Sequence, residues 1–144
     1  MSTEQTIKLL QEVNSGTQMA VDSIDEILEK VKDEKLKKIL SESKAAHEQL
    51  GDETHALLQS YDDPPKDPGM IAKGMSWLKT NAKFMMDESD STVADLITDG
   101  CNMGVKTLYR YLNEYKAADE KSKAVAQNLI DLEESLRADL ASYL

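Results

Sequence analysis

His47 is the residue of this chain best placed to do chemistry, and only two histidines occur in all. It falls on a stripe of Leu36, Leu40, Ser43, His47, Leu50, Thr54, Leu57 and Tyr61. That alternating three- and four-residue spacing marks the buried face of a helix. Ser43 stands one turn before it, and Asn14 and Thr17 come near the same level of the preceding helix. One reading is a polar patch of His47, Asn14, Thr17 and Ser43 that holds a small ligand or a single metal ion. The plainer one is a core histidine whose ring nitrogens are satisfied by those hydroxyl and amide groups. Two histidines are too few for a typical ligand set, so no metal and no cofactor are expected.

The other reactive residue types are scattered. Glu48, Asp52 and His55 sit at i, i+4 and i+7, but donors strung along two turns do not converge on one ion, and a solvated face is expected there. Cys101 is the sole cysteine and cannot form an internal disulfide. Nothing local would lower its thiol pKa, so it reads as a small buried filler. Met70, Met75, Met85, Met86 and Met103 occur at helical spacing beside Leu and Ile and read as packing. No glycine-rich phosphate loop follows a strand, no Ser-His-Asp or Cys-His set is credible, and no CxxC occurs. No catalytic residue is therefore assigned, and a non-enzymatic protein is expected.

At 144 residues, with 40% hydrophobic and 31% charged side chains, the chain suits one folded, helix-rich domain. The formal charge of -10 argues against nucleic acid and anionic membranes, since phosphate contacts need clustered Lys and Arg. No apolar run is long enough to span a bilayer and no leader opens the chain, so a reducing cytoplasm is the expected location.

The elements that must position these residues are read from punctuation and periodicity. All three prolines (Pro64, Pro65 and Pro68) fall in one short stretch, and helices stop at such a cluster. Before it, helices are expected over 3–31 and 33–61, joined at a tight corner at Asp33. Ser2 or Thr3 can cap the first, with Gln5 placed for a capping box on Ser2. The first helix turns Ile7, Leu10, Asn14, Thr17, Val21, Ile24, Leu28 and Val31 inward. After the break, a short helix over 69–87 is followed by long ones over 90–116 and 119–143. Their inward residues are Val93, Leu96, Ile97, Gly100, Gly104, Leu108, Tyr111 and Tyr115, then Val125, Leu129, Leu132, Leu136, Leu140 and Tyr143. Two antiparallel pairs joined by a full-height crossover that contains the short fifth helix account for these lengths. Glycines inside helices (Gly16, Gly51, Gly100 and Gly104) either permit close helix approach or open room beside His47, and close approach is the expectation. On the third long helix, Val105, Tyr109 and Leu112 form an apolar stripe outside the inward one, and a homodimer or protein partner contact is expected there.

The layout, with Trp77-Leu78-Lys79, Ala94-Asp95-Leu96, Gly100-Cys101 and Tyr109, resembles an uncharacterised bacterial family of ferritin-like four-helix bundles. The resemblance implies an all-α ferritin-like fold. Metal-active members of that superfamily place a Glu on each of two helices and Glu-x-x-His on each of the others. Here Lys44 stands three residues before His47, while the first helix offers Asn14 and Thr17 at its midpoint. The third long helix offers Gly100 and Gly104, and the last offers Leu129, Leu132 and Leu136, with Glu133 and Glu134 beside them. Di-metal oxidoreductase activity is therefore not expected. The expected function is a structural or protein-interaction module, with ligand or single-metal binding around His47 as the alternative.

Overall fold

The computed structural model describes residues 2–61, 87 and 89–144, and these described residues fold as four long helices and one closing turn of 3-10 helix. They are α1 (Thr3–Leu28), α2 (Glu34–Gln59), α3 (Asp90–Glu114) and α4 (Glu120–Leu140), followed by a 3-10 turn at Ala141–Tyr143. The helix expected over 69–87 lies, all but Asp87, outside the described residues. So do Met70, Met75, Met85 and Met86. No described helix is long and apolar enough to cross a membrane.

Each helix starts on a side-chain cap that frees it from orphan backbone donors. Ser2 Oγ accepts from Gln5 N at 3.2 Å, Asp33 from Leu36 N at 3.0 Å, Ser89 from Thr92 N at 3.2 Å and Asp119 from Ser122 N at 2.7 Å. The expected capping box at Ser2 is only half formed. Gln5 does not reach back to Ser2; its Oε1 accepts from Ala117 N at 2.9 Å, while Ser2 N donates to Ala117 O at 2.6 Å. The start of α1 is thereby tied to the α3–α4 corner.

Two ends of the bundle are fixed by such ties. At the first end, Thr6 Oγ1 accepts from Asp119 N and Tyr61 donates its hydroxyl to Asp119. At the second, Asp90 accepts from Lys32 N and Asp33 N, both at 2.9 Å, and Tyr143 donates to Asp33 at 2.7 Å. Consequently α2 finishes at the first end and α3 starts at the second. The helices pair as α1 with α2 and α3 with α4, α4 also meets α1 and α2, and the α1–α3 seam is the loosest.

Inside, two apolar clusters are stacked along the axis. Ile24, Ile27, Leu36, Leu40, Leu96 and Leu140 belong to the second-end cluster. Leu9, Val13, Leu50, Ala126, Leu129 and Ile130 belong to the first-end one. Of the inward face expected for α1, Leu10, Thr17, Ile24 and Val31 are buried, whereas Ile7, Asn14, Val21 and Leu28 are half-buried. Leu9, Val13 and Ile27, missing from that face, are fully enclosed. The face is a wide arc rather than one stripe because α1 packs on three helices at once.

Candidate functional site

Mid-height in the bundle, between the two apolar clusters, lies a buried polar pair. His47 on α2 is 0% exposed, and its Nε2 is 3.2 Å from Glu133 Oε1 on α4. Nδ1 lies 2.8 Å from the carbonyl oxygen of Ser43 and 3.3 Å from its hydroxyl. A carbonyl can only accept, so Nδ1 carries a proton. The contact with Glu133 then shares one further proton between ring and carboxyl. Burial alone would drive that proton off the ring, but the hydrogen bond and charge of Glu133, with the Ser43 carbonyl, outweigh it and raise the His47 pKa above its ordinary value. Below that raised pKa the ring is an imidazolium hydrogen-bonded to Glu133, a buried charged contact.

Cys101 on α3 completes the neighbourhood. Burial first, then the charge and hydrogen bond of Glu133, push its thiol pKa far up, although Arg137 pulls the other way. The thiol remains protonated and inert, in keeping with a packing role.

The sequence-derived patch is only partly assembled. His47 and Ser43 come together, but through the Ser43 carbonyl as much as its hydroxyl. Thr17 turns its hydroxyl to the carbonyl of Asn14 at 2.8 Å within α1, and packs against Gly51 rather than serving His47. The residue that sequence reasoning passed over is Glu133. Periodicity makes its neighbour Leu132 the inward position, yet Glu133 is 8% exposed and Leu132 half-buried. The available signal was the four-residue step from Leu129 to Glu133 and the need of a buried histidine for an acceptor.

Beside this pair, the loose α1–α3 seam opens into an apolar groove of about 160 Å³. Its walls include Gly16, Met19 and Ala20 from α1 and Gly100, Met103 and Gly104 from α3. Leu129, Glu133 and Leu136 of α4 form the floor. Met19 and Met103 stand at the rim, 36% and 48% exposed. The glycines divide into two kinds. A Cβ on Gly16 would lie 3.1 Å from Leu129 Cδ2, and one on Gly51 would lie 3.0 Å from Thr17 Oγ1, so both permit close helix approach. A Cβ on Gly100 would meet nothing within 4 Å, and one on Gly104 would touch the Glu133 carboxyl at 3.7–3.8 Å. Those two leave the groove open, contrary to the expectation of uniform close packing.

The stripe expected to face outward on α3 is also redistributed. Val105 and Leu112 are half-buried against the first-end cluster, and only Tyr109, at 45%, is exposed. Glu48 and Asp52 are exposed and His55 is half-buried. Among the described residues no group of three His, Cys, Asp or Glu side chains converges as a metal site. No protein-family model, no curated protein and no solved structure matches this chain.

Proposed function

We propose that this protein is a non-enzymatic, ferritin-like helical bundle that works as an interaction module in the cytoplasm, through the groove between α1 and α3. One observation carries the reading: an apolar groove with two exposed methionines at its rim, beside the buried His47–Glu133 pair. Methionine is unbranched and polarizable, and suits a surface that must adapt to what it meets.

The ferritin-like arrangement is supported by the two ends of the bundle. The end of α2 lies beside Asp119 and the start of α3 beside Lys32 and Asp33, at opposite ends of the bundle, and that placement supports the crossover reading. At mid-height α1 and α3 present Gly16, Thr17, Gly100 and Gly104, and Glu12 of α1 is the single carboxyl that these two helices add to the groove beside Glu133.

A second copy of the chain is the first occupant to test. Sedimentation velocity of the wild type should show association that Met103→Glu abolishes, because a charge in an apolar contact must be desolvated. A strict monomer at high concentration would remove self-association, and association unchanged in M103E would remove this face. A second reading is favoured by the groove's size: a compact small molecule fits about 160 Å³ where a helix would not.

A further inference from the structure

We propose that the α1–α3 groove binds a small organic amine, its apolar body held between Met19 and Met103 and its ammonium directed to the Glu133 carboxyl. The proposal rests on the small-molecule reading of the groove and adds the chemical class of the ligand.

Volume sets the size of the apolar part. A cavity of about 150 Å³ lined by aliphatic side chains accommodates a benzene ring, and the groove offers about 160 Å³. One aromatic ring or a short branched alkyl group is therefore the natural filling. Ile24, Ile97, Leu108, Leu129 and Leu136 supply the apolar lining.

Charge sets the polar part. The lining contains two carboxyl groups, Glu12 and Glu133, and no lysine, arginine or histidine. His47 belongs to the buried pair but lies outside the lining, behind Glu133. The groove thus faces the negative end of that pair. A carboxylate offers about four lone-pair positions; His47 and Cys101 engage Glu133 without using all of them, and Glu133 itself lines the groove. On the α3 side the carboxyl is uncovered because residue 104 is glycine, whose missing Cβ would otherwise lie 3.7 Å from Glu133 Cδ. Tyr111 lines the same groove and donates its hydroxyl to Glu12. An anion would meet two like charges in a poorly solvated space, and a neutral ring would fill the volume without using the carboxyl.

Benzylamine, benzyl alcohol and benzoate have nearly one shape and differ in charge, which makes them the probes. Protein with 13C-methyl methionine reports binding through the Met19 and Met103 signals. Benzylamine should shift both signals and bind about tenfold or more tightly than benzyl alcohol, as a charge-assisted hydrogen bond warrants. Benzoate should shift neither. Glu133→Gln should erase the preference for the amine, and Glu12→Gln should reduce it. Gly100→Leu should block every probe, because its side chain enters space where a Cβ meets nothing. Circular dichroism of each variant verifies that the bundle is folded. Should E133Q fail that check, Gly104→Ala is the second route, covering the carboxyl at ordinary contact distance and lowering the amine preference alone. Equal binding of amine and alcohol would overturn the assignment to amines while leaving the groove a small-molecule site. Absence of binding by all three would overturn both.

Discussion

A single carboxyl decides the state of the buried histidine. Glu133 and the Ser43 carbonyl hold His47 charged against the cost of burial, so its pKa is raised. A raised pKa in the folded state stabilises the protein fully below the unfolded value of about 6.5, and that contribution fades as pH rises through the folded value. Urea midpoints should therefore rise from pH 8 toward pH 6.5 through this group. In Glu133→Gln the burial cost prevails and the sign reverses, so the gap between the two proteins should widen on acidification. A gap independent of pH would mean that the ring stays neutral. The glycines permit a second comparison at this scale. Gly100→Ala should gain about 0.5–1 kcal/mol from helix propensity, because its Cβ meets nothing. Gly51→Ala should gain less or lose stability. Its Cβ would press at 3.0 Å on a Thr17 hydroxyl that is already held by the Asn14 carbonyl. Thermal or urea unfolding of the pair measures the difference. His47 was legible from its place on an apolar stripe. Glu133 was not, because an acid beside leucines on a helix ordinarily faces water, and only a partner from α2 makes its burial tolerable.

At the scale of elements, local signals carried most of the architecture. Ser2, Asp33, Ser89 and Asp119 are all acceptor side chains before apolar runs, and each caps its helix. The expected boundaries 3–31, 33–61, 90–116 and 119–143 compare with 3–28, 34–59, 90–114 and 120–140, the starts agreeing within one residue and the ends differing by two or three. What periodicity could not give is which neighbours share a face. Leu9, Val13 and Ile27 are enclosed because α4 meets α1 as well as α2, and no spacing within α1 encodes that. Nor does local sequence show that Asp90, in the first turn of α3, spans to the α1–α2 corner. Its two carboxyl oxygens take the backbone donors of Lys32 and Asp33, one each. Asp90→Asn keeps a single acceptor and should cost about 1 kcal/mol, while Asp90→Ala loses both and should cost roughly 2 kcal/mol. Equal costs for the two variants would show that only one bond matters. Midpoints at a single denaturant slope provide the measurement.

For the whole molecule, charge and core act on different terms of stability. The chain carries a formal charge of -10 with a pI near 4.6, so its surface repels itself at neutral pH. Surface repulsion is screened by salt, the Debye length falling from about 30 Å at 0.01 M to about 8 Å at 0.15 M. His47 is fully enclosed between two apolar clusters and Glu133, at 8% exposure, meets only the apolar groove, so salt reaches the pair poorly. Raising sodium chloride across that range should therefore raise the melting temperature by a few degrees, as about 1 kcal/mol of relieved repulsion would for a chain near this size. The same increment should appear in Glu133→Gln, whose lesion lies inside. If salt instead narrowed the gap between the two proteins, the ion pair would be open to solvent and the groove would extend past Glu133 to His47. The groove would then present a positive charge beside the carboxyl, and its preference for cations would weaken. Thermal scans at two salt concentrations on two proteins thus test the sealed interior and the polarity of the groove together.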